Sequence, residues 1–118
     1  MRHEMGLFEE PFRSIEQGRK TVEIRLNDPK RQQVHVGDQI RFTHTETNEK
    51  LLVRVTKRQV FPDFRALYEQ IANEAIDCVG WSLDELVTST YSIYSKEAEQ
   101  QYGALALTIT LKSEAKRS

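Results

Sequence analysis

The chain has one cysteine, no long apolar run and almost no excess of either charge, and each shortage excludes a class of protein. Its lone cysteine, Cys78, excludes an internal disulfide and fits a reducing compartment. No apolar run approaches the ~18 residues that a membrane-spanning helix needs. With 17 basic and 18 acidic residues the net charge is -1, which argues against a protein that coats nucleic acid through bulk charge.

Standard catalytic motifs are also missing from the sequence. Neither G-x-x-x-x-G-K nor G-x-G-x-x-G occurs, so no standard phosphate-binding loop is present. No G-x-S-x-G nucleophile elbow occurs either. The three histidines are scattered and no cysteine pair accompanies them, so we expect no metal site and no cofactor.

The sequence does contain a regular order of strand and helix patterns. Apolar alternation predicts strands at 2–7, 21–26, 39–44, 51–61 and 104–111. Helical spacing predicts helices at 8–15, 64–71, 83–95 and 96–102, the third of them opened by a capping box of Ser82 and Glu85. Residues 73–80 are interpreted as a loop or a single turn.

Strands at both ends of the chain with helices between them indicate an α+β fold. A sheet closed on itself suits this order because closure removes exposed edges, although periodicity alone also allows an open sheet. We find no repeat, low-complexity segment or linker, and expect one domain over 1–112 followed by a polar tail at 113–118. The amino terminus has no apolar signal core, so a cytoplasmic protein is expected.

The densest candidate site lies between Gly18 and Arg31. There a predicted strand alternates three apolar with three polar residues, namely Val22, Ile24 and Leu26 with Thr21, Glu23 and Arg25. From Arg19 to Arg31, five basic residues and two acidic ones give a local charge of +3. This pattern predicts either a solvated charged face or the lining of a cleft.

Three segments together resemble the ASCH domain family, whose fold is similar to that of PUA domains. They are Gly18-x-Lys20-Thr21-x-Glu23-x-Arg25, the G-D-x-I-x-F strand at 37–42, and Tyr102-Gly103 before a closing strand. The resemblance covers nearly the whole chain. It implies a small PUA-like β-barrel with flanking helices and a cleft, and a function concerned with RNA or modified nucleosides.

The resemblance also implies a place for Lys20 in the cleft. Family members that cleave acetylated cytidine use a lysine at this position, and have a threonine, their proposed nucleophile, where this chain has Glu23. Lys20 and Glu23 would be catalytic only in an enzyme, with Glu23 as a base that activates water. Glu74 is the nearest candidate for the glutamate that those members use before their last helix.

Three functions are therefore considered. The first is binding of RNA or a nucleoside-like ligand by Lys20, Thr21, Glu23, Arg25, Arg31 and Tyr94. In this function Arg25, Arg31 and Lys20 hold phosphate or a polar base edge, Glu23 accepts hydrogen bonds from a base, and a tyrosine stacks on a base. The second is a small hydrolase acting on a modified nucleoside or on RNA. The third is an adaptor that binds a protein partner elsewhere on the surface.

Structural interpretations compete with the functional ones at several positions. Arg25 can simply pair with Glu23, and Tyr94 continues the apolar stripe of its helix and can belong to the core. Cys78 is interpreted as a buried structural thiol, and Trp81 as a hydrophobic residue packed beside the capping box. Lys57, Arg58 and Arg65 are interpreted as a solvated face.

Overall fold

The computed structural model describes residues 1–112, and the predicted polar tail at 113–118 lies outside them. The strands are β1 (Arg2–Leu7), β2 (Val22–Leu26), β3 (Gln39–His44), β4 (Lys50–Phe61) and β5 (Ala104–Leu111). The helices are α1 (Glu9–Glu16), α2 (Phe64–Gln70), α3 (Leu83–Tyr91) and α4 (Lys96–Tyr102), with short 3₁₀ turns at Arg31–Gln33 and Asn73–Ala75. The predicted order of strands and helices is confirmed.

The five strands form one sheet in the order β1-β3-β4-β5-β2. The β1–β3 pair is parallel, and the other three pairs are antiparallel. The last strand of the chain, β5, therefore lies between β4 and β2 in the interior of the sheet. A register shift in β4 between Val55 and Lys57 marks a bulge, which bends a strand and increases its twist.

Each face of the sheet has its own hydrophobic core. The inner face packs on α1, with Phe12 and Ile15 among the side chains of β1, β3, β4 and β5. The opposite face, which carries Ala104 and Ala106 of β5, packs on α2 and α3 through Phe64, Leu67 and Leu86. Along β5, Ala104 and Ala106 face α2 and α3, whereas Leu105, Leu107 and Ile109 face the inner core. The alternation of small and large residues follows from this arrangement.

The sheet curls into a half-barrel whose two edge strands, β1 and β2, approach each other. Within residues 1–112 no backbone ladder joins them. Arg25 of β2 spans the gap instead, since its Nη2 donates a hydrogen bond to the carbonyl oxygen of Gly6 in β1 at 2.9 Å. We call this gap the seam. The α+β half-barrel with flanking helices agrees with the expected fold class.

Two helix details refine the sequence analysis. The capping box at the start of α3 is present, with Ser82 and Glu85 each bonding the other's backbone N–H. The helix ends at Tyr91 rather than at residue 95, because Ser95 adopts an extended conformation to cap α4.

None of the helices in residues 1–112 is long and apolar enough to cross a membrane.

Candidate functional site

A cavity of about 390 Å³ opens at the seam. Its lining comes from the end of β1 and the start of α1, from β2 and the residues just before it, and from α3 and the turns on either side of that helix. Thr45, after β3, and Tyr68 of α2 complete it. Most of the lining is apolar, and its charged members are Lys20, Glu23 and Arg25. We call these three residues the polar triplet.

Glu23 is the centre of the polar triplet. Its side chain is 4% exposed, and its Oε2 accepts a hydrogen bond from Arg25 Nε at 2.6 Å. Lys20 Nζ lies 3.2 Å from the other carboxylate oxygen, Oε1. The side chains of Lys20 and Arg25 are themselves 17% and 12% exposed, so all three charges are largely withdrawn from water.

The charges of the polar triplet determine the state of Glu23. Burial alone would raise the pKa of the Glu23 carboxyl, but the positive charges of Lys20 and Arg25 outweigh burial and lower it. The pKa of Arg25 is raised, since the attraction of Glu23 outweighs the burial that opposes it. Glu23 is therefore a carboxylate, and the formal charges of the triplet sum to +1.

The strand register explains why charged side chains are buried here. Glu23 lies opposite Leu107 and Arg25 lies opposite Leu105, and both leucines belong to the inner core. Residues directly opposite in an antiparallel pair share a face. The polar face of β2 is therefore turned into the half-barrel, and the triplet occupies the place where a closed barrel would have apolar side chains.

A turn delivers Lys20 to the same cavity. Gly18 adopts φ +80°, a left-handed conformation that suits glycine, and lets the chain reverse after α1. Lys20 then forms an isolated bridge with Ile76, and the Thr21 N–H donates to the carbonyl of Ala75 at 2.8 Å. These contacts fix the backbone of Lys20 between the sheet and the segment that precedes α3.

Tyrosine side chains form part of the cavity wall. The ring of Tyr94 stacks on Phe64, with centroids 5.5 Å apart and planes 14° apart, and it also lines the cavity. Burial raises its pKa. Tyr94 thus packs against the core and reaches the cavity at the same time. Tyr68 lines the cavity as well, and its hydroxyl is 2.7 Å from Thr90 Oγ1.

Comparison with known families identifies the chain. The family model for the ASCH domain matches residues 5–113. The chain belongs to the ASCH domain family. No curated protein matches it.

Solved structures agree with this assignment. The hypothetical protein PH0355 is 35% identical with a TM-score of 0.85, and the match covers 95% of this chain and all 100% of the other. PF0455 from Pyrococcus furiosus is 35% identical with a TM-score of 0.74, over 94% and 97% of the two chains. A mutant of ZmASCH from Zymomonas mobilis, 18% identical with a TM-score of 0.63 over 92% and 67%, supports the PUA-like α+β fold alone.

Two of the proposed binding residues of this ASCH domain lie outside the cavity lining. Thr21 is exposed and precedes β2. Arg31 lies on the 3₁₀ turn after β2, where its backbone N–H donates to Asp28 Oδ1 at 3.0 Å and its Nη1 is 3.4 Å from Asp28 Oδ2. The cavity lining therefore brings together Lys20, Glu23, Arg25 and Tyr94, and does not include Thr21 or Arg31.

Three exposed apolar residues at the cavity mouth were not among the sequence candidates. Phe8, Trp81 and Ile93 line the cavity and are 68%, 46% and 66% exposed, and we call them the rim. The Trp81 backbone is held on both sides: its carbonyl accepts from Asn73 Nδ2 at 2.9 Å, and the capping box begins at the next residue. The interpretation of Trp81 as a packing residue missed this exposure, which local sequence does not encode.

Cys78 and Glu74 differ in their relation to the cavity. Cys78 is half-buried in the lining, and burial raises the pKa of its thiol, which disfavours the reactive thiolate. Glu74 is exposed on the turn before α3 and does not line the cavity. The ASCH domain thus has no second carboxylate beside Glu23 among the lining residues of this cavity.

The expected solvated basic face is only partly solvated. Lys57 is exposed, but Arg58 is half-buried and its Nη2 donates to Asn27 Oδ1 at 2.9 Å. Arg65 pairs with Asp84 at 2.9 Å. In the part of the chain that the structure describes, no three His, Cys, Asp or Glu side chains come together as a metal site requires.

Proposed function

We propose that this ASCH domain binds RNA or a nucleotide-like ligand in the cavity at the seam. The observation that carries the proposal is the combination of an apolar cavity of about 390 Å³ with the buried polar triplet, whose net formal charge is +1. Small-molecule sites typically have such volumes, largely apolar linings and a few polar groups that fix the ligand's orientation.

The rim supports a ligand with a flat aromatic part. Exposed aromatic side chains beside a polar site are costly to leave in water, and a nucleobase that stacks on one of them gains about 1–3 kcal/mol. Phe8 and Trp81 offer such surfaces at the mouth, and Tyr94 offers one inside. A nucleotide supplies both the flat base and the polar edge that this cavity would accommodate.

Hydrolysis of a modified nucleoside is the second candidate, and the observation that favours it is the presence of Lys20 in the cavity. Two features oppose it. Glu23 is ion-paired with a lowered pKa, which makes its carboxylate a weak base. Thr21, the hydroxyl nearest in sequence, is exposed and outside the lining. Binding is therefore the better-supported function.

The chain's single tryptophan gives a direct assay, because Trp81 is on the rim. We expect a short single-stranded RNA to change its fluorescence saturably. Lys20→Ala and Arg25→Ala should weaken binding about 10- to 100-fold, since hydrogen bonds to charged groups contribute about 1.5–3 kcal/mol. Lys57→Ala and Arg54→Ala, exposed positions on β4 that remove the same charges, should bind like the parent protein.

Three outcomes separate the candidate functions. Equal weakening in all four variants would mean that RNA binds through general charge and not in the cavity. Release of acetate from N4-acetylcytidine, followed by NMR and lost in Lys20→Ala, would establish hydrolysis instead. If neither RNA nor mononucleotides bind, the proposed binding function is wrong and the protein-adaptor function is the remaining candidate.

A further inference from the structure

One carboxylate oxygen in the cavity lining has a single neighbouring donor. Glu23 Oε1 is buried, and its contact is the Lys20 ammonium, with Nζ at 3.2 Å. The other oxygen, Oε2, accepts a hydrogen bond from Arg25 Nε. Because a carboxylate oxygen has two lone pairs, Oε1 can accept a second hydrogen bond from a ligand in the cavity that Glu23 lines and still keep its contact with Lys20.

A second cavity acceptor follows from the hydroxyl network of Thr90. Thr90 has one hydroxyl proton, and it donates that proton to the carbonyl of Leu86 at 2.9 Å. In the 2.7 Å contact between Tyr68 and Thr90 the donor must then be the Tyr68 hydroxyl. The Tyr68 oxygen then keeps a lone pair that can accept another hydrogen bond, and Tyr68 is one of the lining residues. The residues of the lining therefore include a second acceptor besides Glu23 Oε1.

A phosphate group does not match this arrangement. Phosphate oxygens are acceptors that carry negative charge, and a phosphate beside Glu23 Oε1 would place like charges together in a poorly solvated cavity. Arg25 has already committed its Nε to Glu23 and an Nη2 proton to Gly6. The triplet is better suited to a neutral group that has a donor and an acceptor side by side.

We propose that the polar triplet binds the Watson–Crick edge of an unpaired nucleobase, with a base N–H donating a hydrogen bond to Glu23 Oε1 and the adjacent base acceptor accepting a hydrogen bond from the Lys20 ammonium. This inference rests on the proposed function and specifies its ligand. Uracil offers N3–H beside O4, and cytosine and adenine offer an exocyclic amine beside a ring nitrogen. The sugar and phosphate remain outside the cavity, and a base in a duplex is excluded because its edge is already paired.

Methylated nucleosides test the inference without altering the protein. Two pairs of nucleosides are compared: uridine with 3-methyluridine, and cytidine with N4,N4-dimethylcytidine. In each pair the methylated member lacks the donor on the Watson–Crick edge. In the Trp81 fluorescence assay we expect the methylated member of the pair that binds to lose at least about tenfold in affinity. The bulk control is 5-methyluridine or 5-methylcytidine, which adds a methyl group on another edge and should bind within about threefold of its parent.

A second experiment tests whether phosphate enters the cavity. It compares the affinities of uridine and uridine 5′-monophosphate at two salt concentrations. If phosphate stays outside the cavity, the two affinities should agree within about threefold and should change little with salt, because no phosphate charge is neutralised. In Glu23→Ala the space of the lost carboxylate can hold an N-methyl group, so the difference between uridine and 3-methyluridine should shrink to within about threefold.

Contrary results are distinguishable from failure of the proposed function. Equal binding of both members of each pair, or much tighter and strongly salt-dependent binding of the monophosphate, would overturn the base-edge inference while the binding function stands. If nucleosides, the monophosphate and single-stranded RNA all fail to bind, the proposed function itself fails.

Discussion

Two glutamates in this protein are almost equally buried and have different partners. Glu23 is 3% exposed and Glu99 is 5% exposed. Glu99 has both oxygens occupied by neutral donors, the backbone N–H of Phe64 at 2.8 Å and the hydroxyl of Tyr91 at 2.7 Å. It joins α4 to the start of α2 and to α3. Glu23 instead pairs with two cations, Lys20 and Arg25, in the cavity lining, so equal burial does not mean equal partners.

The role of Glu99 is testable by substitution. Glu99→Ala leaves a buried backbone N–H and a tyrosine hydroxyl without their acceptor, and should lower the free energy of unfolding by about 2 kcal/mol or more. Urea unfolding measures this change. Glu97→Ala, at an exposed position of the same helix, should change it by less than about 0.5 kcal/mol. Equal stabilities for the two variants would contradict a structural role for Glu99.

At the level of single residues, the sequence predicted the position of a side chain where the signal was local. Glu23 and Arg25 were candidates because strand alternation placed them on one face of β2, and that face does line the cavity. Glu99 was not recognised as buried, because its partner Phe64 lies 35 residues away in the chain. Tyr91 donates its hydroxyl hydrogen bond to Glu99 and is absent from the cavity lining.

Among the elements, β1 depends on contacts at its beginning. It lies at the edge of the sheet and pairs in parallel with β3. Asp38, just before β3, contacts His3 Nε2 at 2.8 Å and accepts from the backbone N–H of His35 at 3.0 Å. The terminal amino group of Met1 is 3.4 Å from the same carboxylate. Asp38 thereby holds the start of β1 against the sheet.

The stability that Asp38 contributes should depend on pH. The hydrogen bond from His3, with that from the His35 backbone, lowers the pKa of Asp38 from 3.8 to about 2. Because the folded value is below the unfolded one, the contribution is present above pH ~4 and is lost as the pH falls towards 2. Asp38→Asn should remove this part of the acid dependence in urea unfolding measured at several pH values. An unchanged dependence between those pH values would exclude Asp38 as its source.

The end of α3 shows why element boundaries were harder to predict than elements. The apolar stripe of α3 continues to Tyr94, and this spacing predicted a longer helix. In the structure the helix ends at Tyr91. The Ile93 N–H donates to the carbonyl oxygen of Thr90, and Ser95 caps the start of α4. Serine and threonine side chains compete for backbone hydrogen bonds and weaken helices, so the segment from Thr88 to Ser95 favours an early end.

In the whole molecule, the last strand of the chain is the one that organises the sheet. β5 pairs with β4 on one side and with β2 on the other, and its side chains enter both cores. The local pattern predicted β5 as a strand, but its partners are separated from it by many residues and no local signal names them. The order of the sheet, its curl and therefore the cavity could not be predicted from periodicity; the family resemblance supplied only a barrel with a cleft.

This arrangement predicts where the backbone is most protected. Amides that link β4 and β5 should exchange most slowly with solvent, since their hydrogen bonds lie in the interior of the sheet between two cores. Amides of β1 and β2, which have a neighbouring strand on one side within the described sheet, should exchange faster. Native-state hydrogen exchange followed by NMR measures both sets. Slowest exchange in β1 or β2 would contradict the prediction.

The bridge from Arg25 to Gly6 has a consequence for how such a cavity can change over evolution. In a closed barrel, the number of strands and their stagger fix the internal width, so a wider interior requires a rebuilt sheet. Here the Arg25 side chain crosses the seam. A shorter or longer residue at position 25 would change this crossing while every backbone ladder remains intact, so the width of the opening can change through single substitutions on an unchanged scaffold.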